Sequence, residues 1–321
     1  MRPSAQAPSV GASFAALSQV LVGTAAGVSA ALVAYPVGGG QGLRYTLAAV
    51  AMYAVLRLRK PPRVRVGARA WLLLFLLALL GQTLFNQLLI GSLEHADPAT
   101  VGSILGCSPI ALAVIAPLMA RRRPGARIVA GSVLVVAGAV AVEGFGDASA
   151  TGLLMALGVL VCEIAFSLLA VPLLPRLGAL RVAAYSTALA VPQSFAIGWF
   201  SDGTGMLRVP TLAEASALVF IGLIATVAAF LLWYTALGTL GAERAGLFSG
   251  LVPVSAALSA LVLGTGEVRP AQLAGSALVG AGVVLGMRMT REQPSPAPEI
   301  APEPVRAAGV AAPVKTGTAA P

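Results

Sequence analysis

Apolar residues run along this 321-residue chain in long stretches, broken by short clusters of charge, proline and glycine. The stretches fall near 13–34, 39–56, 70–93, 98–120, 126–142, 151–172, 180–200, 213–238, 242–264 and 269–288. Each approaches the roughly 20 residues that cross a hydrocarbon core as a helix. A lone segment in lipid must satisfy its own backbone hydrogen bonds, and the alternation expected of barrel strands is absent, so each stretch predicts a membrane-spanning helix. The pattern therefore predicts an all-α polytopic membrane protein with ten transmembrane helices.

Residues 99–142 recur in weakened form at 243–286, a constant shift of 144 positions. Gly102, Gly106 and Pro109 fall on Gly246, Gly250 and Pro253, and Ala130-Gly131-Ser132 falls on Ala274-Gly275-Ser276. Five spans per copy is an odd number, so the second copy must lie upside down relative to the first. Two inverted five-helix repeats are the architecture of secondary transporters. The predicted organisation is a short cytoplasmic N-terminus at 1–12, a first repeat at 13–144, a second at 145–288, and a tail at 289–321. The tail is Pro- and Ala-rich with scattered charge and is expected to be disordered and cytoplasmic.

Composition agrees with a membrane solvent: 58% of residues are hydrophobic, 10% are charged, and the mean hydropathy is +0.89. The net charge of +9 reads as topology rather than nucleic-acid binding. With a cytoplasmic N-terminus, 18 of the 21 basic residues lie inside and only Arg44, Arg208 and Arg269 lie outside. The acids Glu94, Asp97, Glu143, Asp147, Asp202, Glu214 and Glu267 then fall on the outer side. The positive-inside rule thus puts both termini in the cytoplasm, and the first apolar segment lacks a cleavage pattern and reads as a retained span. Abundant Ala, Gly, Val and Arg fit a bacterium of high coding GC content, hence a multi-pass protein of the plasma (inner) membrane.

Cys107 and Cys162 lie inside apolar runs, and the single histidine, His95, sits in a loop, so neither a structural disulfide nor a metal site is indicated. No phosphate-binding loop of the G-x-x-x-x-G-K-[ST] type occurs, which argues against a nucleotide-driven pump. No cofactor is implied.

The run Arg44-Tyr45-Thr46-Leu47-Ala48-Ala49 entering span two, Ala99 to Pro109 opening span four, and Glu243 to Pro253 opening span nine resemble drug/metabolite transporters of the EamA type. The resemblance covers about residues 13–288. It implies two inverted five-helix bundles around a central cavity and transport by alternating access. Relatives of this kind commonly carry an acid where the fourth helix meets its loop. Here Ala120-Arg121-Arg122-Arg123 is basic, whereas Glu267 stands 144 positions beyond Arg123.

Several residues could serve the substrate path. Gly102 with Gly106, and Gly246 with Gly250, offer small faces that let helices approach closely. Pro109 and Pro253 follow and are expected to kink the two helices and free carbonyls near mid-span. Glu163 is the one acid well inside a span, where an unpaired charge costs at least about 2.5 kcal/mol. It is expected to face the bundle interior and is a candidate proton site, with Ser167 one turn along on the same face; a purely structural carboxyl is the alternative. Gln82 and Asn86 share a face of span three, Gln193 lies in span seven, and Trp233 and Tyr234 end span eight. Amides beside aromatic surface suit a small polar or zwitterionic solute, although Trp and Tyr near a helix end also act as interfacial anchors. Arg44 is expected to reach the headgroups, with contact to an anionic solute as the minority reading.

The expected partners are a small-molecule substrate and membrane lipid, with no nucleic acid; small-residue faces also leave a homodimer open. The function expected is a secondary transporter, by preference an exporter, of a small metabolite or amino-acid-like solute, with proton coupling through Glu163. The alternative is an intramembrane enzyme acting on a lipid or apolar precursor.

Overall fold

A computed structural model describes residues 8–62, 64–144, 146–262 and 269–288. Arg2, Arg63, Glu267, Arg291, Arg306, Lys315 and the tail at 289–321 lie outside the described residues, so the expectations placed on them are not addressed by it.

The chain folds into ten helical rods: α1 (Pro8–Ser29), α2 (Val37–Arg59), α3 (Ala68–Leu93), α4 (Pro98–Met119), α5 (Ala126–Glu143), α6 (Ala150–Ala170), α7 (Leu174–Asp202), α8 (Leu212–Leu240), α9 (242–262) and α10 (Pro270–Met287). Among the described residues there is no strand, only an isolated bridge between Ala96 and Ala148. Six rods, α3 to α6, α8 and α10, are each long and apolar enough to cross a membrane on their own. Others carry more polar sequence: α2 opens on Val37-Gly38-Gly39-Gly40-Gln41-Gly42 and holds Arg44, and α7 holds Arg176 and Arg181. The helix α7 begins earlier than its apolar run and crosses a break at Gly178, whose φ of 73° favours a residue without a side chain.

The offset of 144 recurs in the helix starts: Ala68 and Leu212, Pro98 and Ala242, Ala126 and Pro270. It also recurs in the contacts. In α5 and α10 the backbones cross at glycine: a Cβ on Gly131 would lie 2.7 Å from the Gly282 carbonyl oxygen, and one on Gly282 would lie 2.6 Å from that of Gly131. Gly138 and Gly275 meet in the same reciprocal way, at 2.5 Å each. Advancing the first pair by the offset exchanges it for the second, which is the mark of a pseudo-twofold axis between α5 and α10. The remaining packing obeys the same exchange. Helix α1 packs on α8 and α9 while α6 packs on α3 and α4, and α2 packs on α7. The protein is thus an all-α polytopic membrane protein built from a duplicated five-helix unit, and five crossings per unit set the second inverted against the first.

Two irregularities repeat as well. The middle of α3 is a π-helical stretch, Leu79–Leu84, matched in α8 by Ile221–Ala228. Such stretches widen the helix and favour functional sites. Helix α4 breaks between Leu105 and Ser108, and α9 tightens into a 3-10 turn at Gly246–Gly250. Pro109 and Pro253 have no N–H to give the Leu105 and Ser249 carbonyls, so the disruption falls one turn before each proline.

The two ends of the bundle differ. Toward the end that carries the α2–α3 and α4–α5 connections, one continuous apolar core closes the interior, including Met52, Leu77, Leu112, Leu237 and Leu247. This basic end also holds an ion pair between Arg122 and Glu243, 3.7 Å apart. Toward the opposite end only small separate clusters remain, such as Ala25 with Ile221 and Ala225, and Ala96 with Val101 and Ala156. There the α1–α2 and α7–α8 connections are tied by Arg208, which pairs with Glu214, donates to the Ala34 carbonyl and stacks over Tyr35.

Candidate functional site: a central cavity between the repeats

Between the small clusters at the open end and the core at the basic end lies a cavity of about 340 Å³. Eight of the ten rods, all but α7 and α10, contribute to its wall. Its lining is mostly apolar and aromatic, from Phe85, Leu89, Phe166, Phe230 and Trp233, with a few polar groups at fixed places. That composition is common to pockets for small solutes.

Glu163 on α6 reaches the cavity from near mid-helix, and its Oε2 is inaccessible to solvent and has no hydrogen-bond partner. The Ser108 hydroxyl of α4, also without a partner, lies beside it. Ser167, one turn further on α6, joins the lining. On the facing wall Gln19 of α1 donates from Nε2 to Ser249 Oγ of α9 at 3.4 Å. Gln19 stands 144 positions before Glu163, so the two repeats present an amide and a carboxyl at equivalent places. The sequence signal for Gln19 was that offset, carried back from the clearer half of the repeat.

Arg44 does not reach the headgroups; it turns into the cavity. Its Nε donates to Thr226 Oγ1 at 2.8 Å and its Nη1 to Gln41 Oε1 at 3.0 Å, and its guanidinium lies 5.1 Å from the centroid of the Tyr45 ring. The π-helical stretch of α8 is what presents Thr226: its hydroxyl donates five residues back, to the Ile221 carbonyl at 3.1 Å. In the equivalent stretch of α3 the Gln82 carbonyl accepts from Tyr45 OH at 3.2 Å and from Asn86 Nδ2 at 2.6 Å. Asn86 Nδ2 also donates to Tyr45 OH at 2.9 Å, and Asn86 lines the cavity.

Glu143, expected only to lie on the outer side, ends α5 and joins the lining. Gly102 makes room for it, because a Cβ there would lie 2.7 Å from the Glu143 carboxyl carbon. Gly106 also lines the cavity, beside Ala139.

The remaining candidates divide. Trp233 and Pro253 line the cavity, so Trp233 is not an interfacial anchor. Tyr234 is fully buried behind the wall, with its ring 5.2 Å from Phe166 and 6.2 Å from Phe230, and is no anchor either. The Gln82 side chain is buried and unpartnered, outside the lining. Gln193 ties α7 to α3, accepting from Thr83 Oγ1 at 3.1 Å and donating to the Phe75 carbonyl at 3.4 Å, and it does not reach the cavity. Pro109 is buried in α4, and Gly246 and Gly250 are packing positions against Leu112 and against Val135 with Val279. Among the described residues no group of three or more His, Cys, Asp or Glu is placed to hold a metal ion.

Comparison with other proteins finds the duplication as well. Two curated relatives from Bacillus subtilis (strain 168), both named as uncharacterized transporters, are similar over most of their length. YetK is 24% identical over 257 residues, covering 77% of this chain and 78% of its own. YyaM is 23% identical over 259 residues, covering 77% and 83%. A solved crystal structure superposes with a TM-score of 0.77 over 89% of this chain and 100% of its own, at 20% identity, a likeness of fold. The profile of the EamA-like transporter family matches twice, at residues 9–143 and at 150–288. With both five-helix units matched, this chain belongs to the EamA-like transporter family.

Proposed function

We propose that this protein is a secondary exporter of a small amino-acid-like metabolite, worked by alternating access of the cavity between its repeats. The observation that carries this reading is the position of the cavity: it lies on the axis between the repeats, sealed by apolar core at one end and only loosely covered at the other. Rocking the two units about that axis would exchange the sealed and open ends. The arginines concentrate at the sealed end, so the positive-inside rule puts that end, with both termini, in the cytoplasm of a plasma or inner membrane. The conformation is then open to the outside, the state in which an exporter has delivered its solute.

The lining supports the substrate class. A guanidinium from Arg44 and carboxyls from Glu143 and Glu163 in a largely apolar cavity would meet the carboxylate and ammonium of a zwitterion, with Asn86, Gln19 and Ser249 available for hydrogen bonds. Glu163 would also bind and release the coupling proton, since among the described residues no ion pair compensates a charge on this carboxyl, which has only the Ser108 hydroxyl beside it. Export then follows when solute and proton occupy the site in alternation.

The test is reconstitution of the full chain into sealed vesicles with an imposed proton gradient, screening mixtures of amino acids and related metabolites. Solute that crosses chemically unchanged, faster with the gradient, supports the proposal. Covalent conversion without translocation contradicts it and favours the intramembrane enzyme instead.

A further inference from the structure

We infer a second binding site, for the headgroup of an anionic phospholipid, at the basic end of the bundle and remote from the central cavity. A pocket of about 260 Å³ lies between the α2–α3 connection, the start of α3 and the α6–α7 corner. Arg65, Arg69 and Arg176 line it, over an apolar floor that includes Leu73, Leu173 and Leu177. No acid belongs to the lining, and the ion pairs among the described residues, Arg122–Glu243 and Arg208–Glu214, involve none of these three arginines. A fourth arginine nearby is occupied differently: Arg181 donates to the Pro62 and Leu177 carbonyls and so braces the α2–α3 connection against α7. The pocket is thus built around three uncommitted cations rather than around an internal salt bridge.

Two further features favour a phosphate. Gly67, the N-cap of α3, offers no side chain to that helix, and its carbonyl accepts from the Ala70 and Trp71 N–H groups, so the Ala68 and Arg69 N–H groups are left without a helical partner at the positive end of its dipole. The arginines rise from the same turn and from the facing corner, giving planar donors of the kind that grip phosphate oxygens. The depth favours a lipid over a free anion. Trp71, half exposed on the same turn of α3, stacks on Tyr185 of α7 with centroids 5.6 Å apart, a pairing suited to the headgroup level of a bilayer. An apolar floor beneath three cations matches a headgroup with the start of its acyl chains. Basic pockets between helices on the positive side of membrane proteins take such lipids.

The pocket joins α3 of the first repeat to the α6–α7 corner of the second at the sealed end. A bound lipid would therefore hold the two units together where the cavity is closed.

The experiment uses the purified full chain in neutral detergent, with native mass spectrometry after adding phosphatidylglycerol or phosphatidylcholine. Phosphatidylglycerol adducts are expected in preference, and the triple variant Arg65→Gln, Arg69→Gln, Arg176→Gln is expected to weaken them about a hundredfold. A charge-matched control, Arg59→Gln, Arg121→Gln, Arg123→Gln, removes three arginines from the same end but outside the pocket and is expected to retain them. Equal binding of both lipids, or equal loss in both variants, overturns the site. Displacement of the lipid by inorganic phosphate at matched concentration would show a free-anion site and overturn the lipid assignment. If the triple variant does not fold, cross-linking of wild-type protein with a headgroup-photoreactive phosphatidylglycerol decides. Adducts within 65–73 and 172–177 support the site, and adducts confined elsewhere refute it.

Discussion

The α5–α10 seam and the central cavity are built by the same duplication, yet they treat it oppositely. At the seam the offset pairs glycine with glycine, Gly131 with Gly275 and Gly138 with Gly282, and the backbone contacts are reciprocal to within about 0.1 Å. In the cavity the offset pairs unlike residues: Gln19 with Glu163, Asn86 with Phe230, and Leu89 with Trp233. Where one backbone touches another, sterics admit only glycine in both copies. Where the wall faces open space, each copy can carry different chemistry, and a symmetric scaffold encloses an asymmetric site.

The seam should give the largest effect. Gly138→Val or Gly275→Val drives a branched side chain into a carbonyl 2.5 Å from where its Cβ would stand. Overpacking of this kind costs at least about 1–3 kcal/mol, and against backbone the relief available from side-chain motion is missing. Little folded protein should be recovered from membranes. Gly280→Ala in the same helix meets nothing within 4 Å and should leave yield and melting temperature unchanged or slightly raised. Equal behaviour of the two would dissolve the distinction between seam and open face.

Next comes a substitution that fills the cavity without touching the seam. Gly106→Leu projects into the lining beside Ala139 and should abolish transport while the protein still reaches the membrane in near-normal amount. Gly250→Leu meets Val135 and Val279 in packed core and should lower stability instead. Transport assays paired with fluorescence size-exclusion profiles would separate the two outcomes.

A third test addresses the unlike walls directly. Glu163→Gln should remove the pH dependence of transport across the range where the wild type responds. Adding Gln19→Glu to that variant moves the carboxyl to the equivalent place on the opposite wall, and should restore pH dependence at a lower rate. Unaltered pH dependence in Glu163→Gln alone would exclude the residue as the proton site.

The smallest effect belongs to the ion pair at the sealed end. Arg122 is 63% exposed, so breaking its contact with Glu243 by Glu243→Gln should change stability by no more than about 1 kcal/mol. The closed end then owes its closure to the apolar core; a large shift toward an inward-open state in this variant would assign it to the ion pair instead.

Much of this scaffold was legible in the sequence, because hydropathy and glycine spacing report constraints that act locally. Ten apolar stretches became ten rods, and the 144-residue offset was visible because Gly131, Gly138, Gly275 and Gly282 are fixed by backbone contact. The cavity was only partly legible. Glu163, Ser167, Asn86 and Trp233 line it, but Gln193 and Tyr234 occupy packing positions that a helical periodicity cannot tell from lining ones. Arg44 was misjudged because a cation near a helix end ordinarily reaches water. The hydroxyl that holds it inward comes from Thr226, 182 residues away, on a π-helical stretch that no local pattern reveals. Glu143 was missed for a related reason: its pocket is the space left by Gly102 on another helix.

The central claim is a cavity between inverted repeats that opens at the end opposite the arginines, with the arginines in the cytoplasm. Membrane-impermeant maleimide labelling tests it in a chain where Cys107 and Cys162 are replaced by serine. Cysteine introduced at Leu89, in the cavity wall, should be labelled on intact cells, and cysteine at Arg65, at the basic end, only after the membrane is permeabilised. Labelling of both positions from the same side, or of Arg65→Cys alone on intact cells, would contradict the account.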